Sequence, residues 1–423
     1  MNIELINTGA ELMLGRVLNT HQQWLCRQLA DMGLVVTRQV AVDDSASAIS
    51  QAVQEALARA PLVITTGGLG PTSDDRTRDV IAALLGRKLH LDDAVLRQIE
   101  SYFTARKRRM VESTKVQALV PEGATVLLNA FGTAPGLVIE AGHASHCDLP
   151  QLLVMLPGPP RELRPMFTNQ VAPLLKQRYP QQTALVCRTL KTTGLGESLL
   201  EEKIAGPLQP LVAAGLELGY CARVGEVDVR FAARGELAAK LVAEAESLAR
   251  SLIGELVFGA DEDSLEAAVV QSLTERKLTL ATAESCTGGL IANRLTNVPG
   301  ASVVFWGGLV SYANEAKQAS LGVRAETLAQ HGAVSRQTAC EMADGARQRA
   351  GTDYALAVTG IAGPTGGTAD KPVGTVFIGL ATPGETLVQR HLNPFDRETF
   401  KWVTSQQALD LLRRAVSGLR TSA

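Results

Sequence analysis

The chain has 423 residues, 46% of them hydrophobic, and its 20% charged residues nearly cancel to a formal net charge of −2. That composition fills several cores, and the charge balance excludes a dominant nucleic-acid partner, which needs clustered Lys and Arg against phosphate. No apolar run nears the roughly 20 residues of a membrane span, the first residues carry no basic leader, and the six cysteines are scattered without CxxC pairs, so a cytoplasmic protein with reduced thiols and no membrane partner is expected.

IELINTG is a short apolar strand ending at Gly9. NTHQQWLCRQLADMG sets Trp24, Leu25, Leu29 and Met32 at helical spacing and stops at Gly33. LVVTRQVAV reads as a β-branched strand, SASAISQAVQEALARA as a Ser-capped helix, and PLVITTGG as a buried strand entering a glycine loop. LLVMLPGPPREL adds a strand and a Pro-rich turn, and VAPLLKQRYPQQ closes the first domain. Strands separated by helices of this length predict a parallel, doubly wound sheet over residues 1–172. Residues 173–260 change rhythm: a strand LVCRTLKTTG, a helix GESLLEEKIAGPL, an alternating stretch turning near Gly225, then a helix and the strand ELVFG. That is a small α+β unit. From 261 to 423 the α/β alternation returns, with strands in LTLATAES, VVFWGGLVSYA, YALAVTG and GTVFIGLATP and a C-terminal helix from Arg397. The expected fold class is therefore α/β, two domains with largely parallel sheets joined by the small unit. Apolar helices on both end domains make a homodimer the expected assembly.

In TTGGLGPTSDDRT, Gly67, Gly68 and Gly70 permit close approach of a phosphate, and Asp74 and Asp75 could hold a divalent cation bridging it. Equally, the aspartates read as an acidic cap on the following helix. His143, His146 and Cys147 in AGHASHCDLP have half of a zinc spacing and read as an insertion loop.

AESCTGGL follows a strand and precedes a helix. Such a turn puts a nucleophile against unpaired helix amides, which suit an anion or oxyanion. Gly288 and Gly289 keep side chains out of the ligand's way. A serine needs a base, and VSYANEAK offers Lys317, whose pKa falls when shielded from water, with Tyr312 to hold it or relay the proton. The other reading is a helix start capped by Ser285 or Thr287, with Lys317 solvated. TGIAGPTGG is a second glycine loop, either a site for ribose phosphate or amide built on Thr359 and backbone N–H groups, or a plain connector. Arg397 is a phosphate candidate or a surface arginine.

AESCTGGL, VSYANEAK, LGV, HGAVSRQTACEMA, TGIAGPTGG and KPVGTVFIG, in that order, closely resemble the nicotinamide mononucleotide (NMN) deamidase domain of the CinA competence/damage-inducible family. The resemblance implies an amidohydrolase making nicotinate mononucleotide and ammonia, with Ser285 the nucleophile and Tyr312 and Lys317 beside it. Thr287, Gly288, Gly289, Thr359, Gly360, Gly363 and Arg397 then bind NMN, with amides of the Thr287–Gly289 turn taking the oxyanion. The cationic pyridinium already activates the amide, so no cofactor is expected there, and Cys286 is a packing residue. GAELMLGRVLNT, TTGGLGPTSDDRT, FGTAPG and LPGPPREL resemble the same family's molybdopterin-binding-like N-terminal domain. That implies a metal-dependent ADP-ribose pyrophosphatase yielding AMP and ribose 5-phosphate. Gly9, Glu11, Gly15, Asn19, Gly67, Gly68, Gly70, Thr72, Asp75 and Gly158 bind ADP-ribose, and Asp74 and Asp75 hold the divalent metal. Ala10, His21 and Thr114 depart from the family pattern, so a nucleotide- or molybdopterin-binding module without catalysis is the alternative, and a competence accessory acting through protein partners is a further one. Residues 183–258 resemble the family's KH-like connecting domain, but the loop TTGLGES lacks a basic GxxG, so nucleic-acid binding does not follow.

Overall fold

A computed structural model describes residues 1–143, 150–180 and 185–421; His146 and Cys147, with the side chain of His143, lie outside the described residues. The chain divides into two compact units, Met1–Leu185 and Val186–Ala423.

In the first unit, strands β1 (Ile3–Thr8), β2 (Arg38–Val42) and β3 (Leu62–Thr66) precede a small β4 (Leu89–Leu91)/β5 (Leu119–Pro121) pair. β6 (Thr125–Leu127), β7 (Gly136–His143) and β8 (Pro150–Leu156) complete a sheet of order β2-β1-β3-β8-β7-β6. The first four strands in that order run parallel, β7 pairs antiparallel with β8, and β6 pairs antiparallel with β7. β1 and β3 are buried along their whole length because both sheet faces are covered. Leu62 and Ile64 enter one core layer with Leu25, Leu29 and Phe167, whereas Val63 enters the other with Ile49, Val53 and Ile81. The stretch LVVTRQVAV is a strand only over Arg38–Val42; Leu34 instead packs into the core and its amide returns to Leu29.

The second unit opens with β9 (Leu185–Thr193), β10 (Glu217–Arg223), β11 (Glu226–Arg234) and β12 (Val257–Ala260), ordered β10-β11-β9-β12 under two helices, Glu197–Ala213 and Ala238–Ile253. This is the KH-like layer. A second sheet follows: β13 (Leu280–Glu284), β14 (Phe305–Val310), β15 (Tyr354–Gly360), β16 (Thr375–Ala381) and β17 (Thr386–Leu392), ordered β14-β13-β15-β16-β17. β14, β13 and β15 are parallel, β16 pairs antiparallel with β15, and β17 pairs antiparallel with β16. Leu280 and Leu356 face a core of leucines and valines. Ala281, Ala283, Ala355 and Ala357 face the other way, and these small residues admit the helix Arg336–Ala350 close to the sheet. Among the described residues no helix is long and apolar enough to cross a membrane.

Candidate active sites

Each motif loop borders the point where strand order reverses in its sheet: AESCTGG leaves β13 itself, and TTGGLG leaves β3, the neighbour of β1. β13 has β14 on one side and β15 on the other, and β1 likewise lies between β2 and β3. At such a reversal of strand order the loops leaving the strand ends diverge and open a crevice for ligand.

Ser285 follows β13, and Ser311 and Tyr312 follow β14. Lys317, on the helix Asn314–Leu321, reaches back so that Nζ lies 3.0 Å from Ser285 Oγ. The same nitrogen bonds the carbonyls of Ser311 at 2.8 Å and Tyr312 at 3.1 Å. Lys317 is only 1% exposed, so it is not a solvated lysine. Carbonyls accept and never donate. A neutral amine gives its two N–H groups to them and turns its lone pair on the serine hydroxyl. Burial pulls the Lys317 pKa below the ordinary lysine value, which favours that form.

The turn is anchored by a residue that sequence reasoning missed. The Glu284 carboxylate, 1% exposed, accepts from the amides of Gly289 (3.0 Å), Ile291 (3.0 Å) and Ala292 (2.8 Å). It caps the helix Leu290–Thr296, so neither Ser285 nor Thr287 is the cap. The expected oxyanion donors need correcting for the same reason. Gly289 gives its amide to Glu284, and Gly288 gives its amide to the Ser285 carbonyl at 3.2 Å. Among the described residues the Cys286 and Thr287 amides bond no oxygen and reach the Cys286 sulfur instead, a weak acceptor, and Thr287 Oγ1 is buried without a partner. The only sequence signal for Glu284 was an acid closing a strand just before a glycine turn. Cys286 packs into the leucine-rich core, and burial pushes its thiol up to about 12, which leaves no thiolate at neutral pH.

Tyr312 departs from its expected place. Its backbone carbonyl holds Lys317, but its side chain is 62% exposed and its hydroxyl accepts from Arg397 at 2.8 Å. Arg397 also donates to the Gly363 carbonyl at 3.0 Å, so Tyr312, Gly363 and Arg397 form one rim. Lys401, one turn further along the helix Arg397–Val416, was not read from the sequence; its Nζ lies 3.7 Å from where a Gly288 Cβ would stand. The i, i+4 spacing from Arg397 was the available signal. Thr359 and Gly360 serve the sheet instead: Thr359 Oγ1 donates to the Ala333 carbonyl at 2.7 Å, and a Cβ on Gly360 would meet the Thr375 carbonyl at 2.9 Å.

In the first unit, Gly9, Glu11, Gly67, Gly68 and Gly70 line a cavity of about 380 Å³, closed by Asp74, Asp75 and Gly158. Gly67, at φ +96°, passes so close to β1 that a Cβ would stand 2.6 Å from the Thr8 carbonyl, and one on Gly68 would collide with Thr77. Asp75 accepts from the Thr72 amide at 3.0 Å and from its hydroxyl, and the next helix has no side-chain cap, so the aspartates are not capping residues. The Thr72 hydroxyl also holds the Asp74 carboxyl below its usual range. Three expected ligand residues have other positions or duties. Asn19 caps the helix Thr20–Ala30, Thr72 secures Asp75, and Gly15 lies outside the cavity lining. Two acidic lining residues went unread. Asp44 is pushed up by burial and then by the charges of Glu11, Asp74 and Asp75, and it accepts from the Ala10 amide at 2.8 Å. Glu162, raised by burial, is held by Asn129 at 2.7 Å. Among the described residues no three His, Cys, Asp or Glu side chains converge as a ready metal cage. A larger cavity of about 690 Å³, lined by Arg87, Glu140 and Arg178, contains none of the motif residues.

Comparison with known proteins covers the chain in three pieces. Residues 262–416 match the "CinA C-terminal domain", residues 4–177 the "Probable molybdopterin binding domain", and residues 187–259 the "Damage-inducible protein CinA KH domain". A CinA-like protein of Kosmotoga olearia is 44% identical over 423 residues, covering 98% of this chain and 99% of that protein. A CinA-like protein of Akkermansia muciniphila is 46% identical over 410 residues, covering 97% and 96%. The crystal structure of competence/damage inducible protein CihA from Agrobacterium tumefaciens is 44% identical, with a TM-score of 0.35, over 36% of this chain and 93% of that one.

Proposed function

The chain belongs to the CinA family, and on that premise we propose that its C-terminal domain is an amidohydrolase that converts NMN to nicotinate mononucleotide and ammonia. The observation that carries this reading is the buried amine of Lys317 set 3.0 Å from Ser285 Oγ with its other two valences on carbonyls. Lys317 takes the serine proton as Oγ attacks the carboxamide carbon. The oxyanion falls to the Cys286 and Thr287 amides, which must exchange the weak Cys286 sulfur for it, since Gly288 and Gly289 give theirs to stronger oxygen acceptors. Collapse breaks the C–N bond, and the Lys317 ammonium returns the proton to the leaving nitrogen. Water then attacks the Ser285 ester, again deprotonated by Lys317, and releases nicotinate mononucleotide and free serine. Arg397 and Lys401 offer the substrate phosphate two cations at the rim. Ammonia release from NMN by the full chain and by Ser285→Ala tests the reading. Equal rates would sink it.

For the N-terminal domain we propose ADP-ribose hydrolysis to AMP and ribose 5-phosphate. Gly67, Gly68 and Gly70 leave room for the pyrophosphate. A magnesium-like ion takes one or two carboxylates and fills its remaining positions with water and phosphate oxygens, which suits Asp74 and Asp75 better than a protein-only cage would. Bound there, it would neutralise phosphate charge. The match of residues 4–177 to the probable molybdopterin binding domain favours a second reading, a nucleotide- or molybdopterin-type binding module. AMP formation from ADP-ribose, with and without EDTA, separates the two. A rate indifferent to EDTA removes the metal, and binding without AMP leaves the module.

A further inference from the structure

The β10–β11 turn of the KH-like layer is seated on the helix that carries Arg397 and Lys401. Trp402 Nε1 donates to the Val224 carbonyl at 3.1 Å, and Gln406 Nε2 donates to Glu226 Oε1 at 2.7 Å. Gly225, at φ +79°, lies so close that an added Cβ would stand 3.1 Å from Gln406 Cγ. Gln406 is 1% exposed, a polar side chain fully engaged between layers. Its Oε1 accepts from Arg294 at 2.7 Å, and Arg294 in turn bonds Ser405 Oγ at 2.8 Å and lies 4.5 Å from the centre of the Trp402 ring. Arg294 belongs to the helix that starts at the catalytic turn. The network therefore grips the rim helix beside Lys401 and reaches the first helix after Ser285.

We propose that the β10–β11 turn is a positioning element for the phosphate-facing end of the Ser285 site, with Trp402 and Gln406 as the positioning residues through which it acts. The inference rests on the NMN reading above. A helix moves as a rod, so a displacement at Gln406 shifts both rim cations together, whereas Ser285 and Lys317 are fixed from β13 and β14. Disturbing the turn therefore weakens binding of a phosphorylated substrate and spares the amide chemistry.

Gly225→Ala tests this against a matched control. Gly235 also has positive φ, at +92°, but nothing lies within 4 Å of its would-be Cβ. Both variants place an alanine at positive φ, and only the first wedges Gln406. Kinetics are measured on full-length protein with NMN and with nicotinamide riboside, which lacks the phosphate. The expected result for Gly225→Ala is a KM for NMN raised about 5–10-fold with kcat held, and riboside kinetics unchanged; Gly235→Ala matches wild type. Trp402→Phe keeps the ring beside Arg294 and removes the bond to Val224, so it shifts KM the same way even if the wedge variant does not fold. Equal KM in all variants, or a rise shared by the riboside, overturns the proposal. If wild type releases no ammonia, the deamidase reading falls by itself. The positioning role is then read from NMN dissociation constants by calorimetry, where values equal to wild type in Gly225→Ala and Trp402→Phe overturn it.

Discussion

Lys317→Met is the most direct challenge to the serine–lysine arrangement. The thioether matches the length of the lysine stem, so the buried channel stays filled. The Ser311 and Tyr312 carbonyls lose a donor, about 1–3 kcal/mol for a buried group, but a desolvated amine is also removed, which offsets a similar amount. Folding should survive, with a thermal midpoint within about 6 °C of wild type. The rate has no such compensation. General-base assistance alone is worth about 10²–10⁴-fold, and a nucleophile and base acting as one unit lose more. We expect kcat for ammonia release to fall at least about 10³-fold, roughly 4 kcal/mol of barrier at ~1.36 kcal/mol per decade. The pH profile supplies the sign. Protonation removes the lone pair, so wild-type kcat/KM falls as pH drops through the Lys317 pKa and levels off above it. Burial places that limb below the ordinary lysine value of about 10.4. A folded Lys317→Met variant that kept more than about a tenth of the wild-type rate would refute the reasoning, because no general base is worth so little.

Cys286→Ala should keep kcat and KM for NMN and lose about 1 kcal/mol of stability in a denaturant titration, the signature of a packing thiol; loss of ammonia release with the fold intact would make the cysteine the nucleophile. Glu284→Gln leaves one oxygen for three amides, so thermal unfolding should show a loss of about 1.5–3 kcal/mol along with slower ammonia release. An unchanged midpoint would remove Glu284 as the anchor. Asp75→Asn keeps an oxygen for Thr72 while deleting the charge, so the magnesium concentration that supports AMP formation should rise about 10–100-fold, and an unchanged requirement would place the metal elsewhere.

The sequence was most legible where periodicity is long. LTLATAES, YALAVTG and the helix beginning at Arg397 stand where their patterns place them. It was least legible at the sheet edges. β17, TLVQRHL, gives no clean alternation, because as the last strand of its sheet it faces varied surroundings. β4 to β7 are mostly short, and their pairing is decided by tertiary contacts rather than local preference. For the candidate sites, the glycine spacing revealed the loops but not the burial around them. SYANEAK is polar, so its local pattern left a solvated Lys317 open beside the reading as a shielded base, and only the fold shows the burial. TSDD allowed a helix cap as well as a metal site because nothing local shows that Thr72 takes Asp75.

The neighbourhood of Lys317 also explains a feature that would otherwise work against it. A carboxylate one residue from the nucleophile should stabilise the lysine's ammonium form and disable it as a base. Glu284 is such a carboxylate, and its charge does press the adjacent Cys286 thiol upward. Its three amide bonds and the positive end of the helix Leu290–Thr296 spend that charge locally. Lys317 is left governed by burial, facing carbonyl dipoles and a hydroxyl instead of an anion. The acid therefore fixes the turn that carries Ser285 while its charge is screened from the base, and a neutral amine beside a serine becomes compatible with a buried glutamate one residue away.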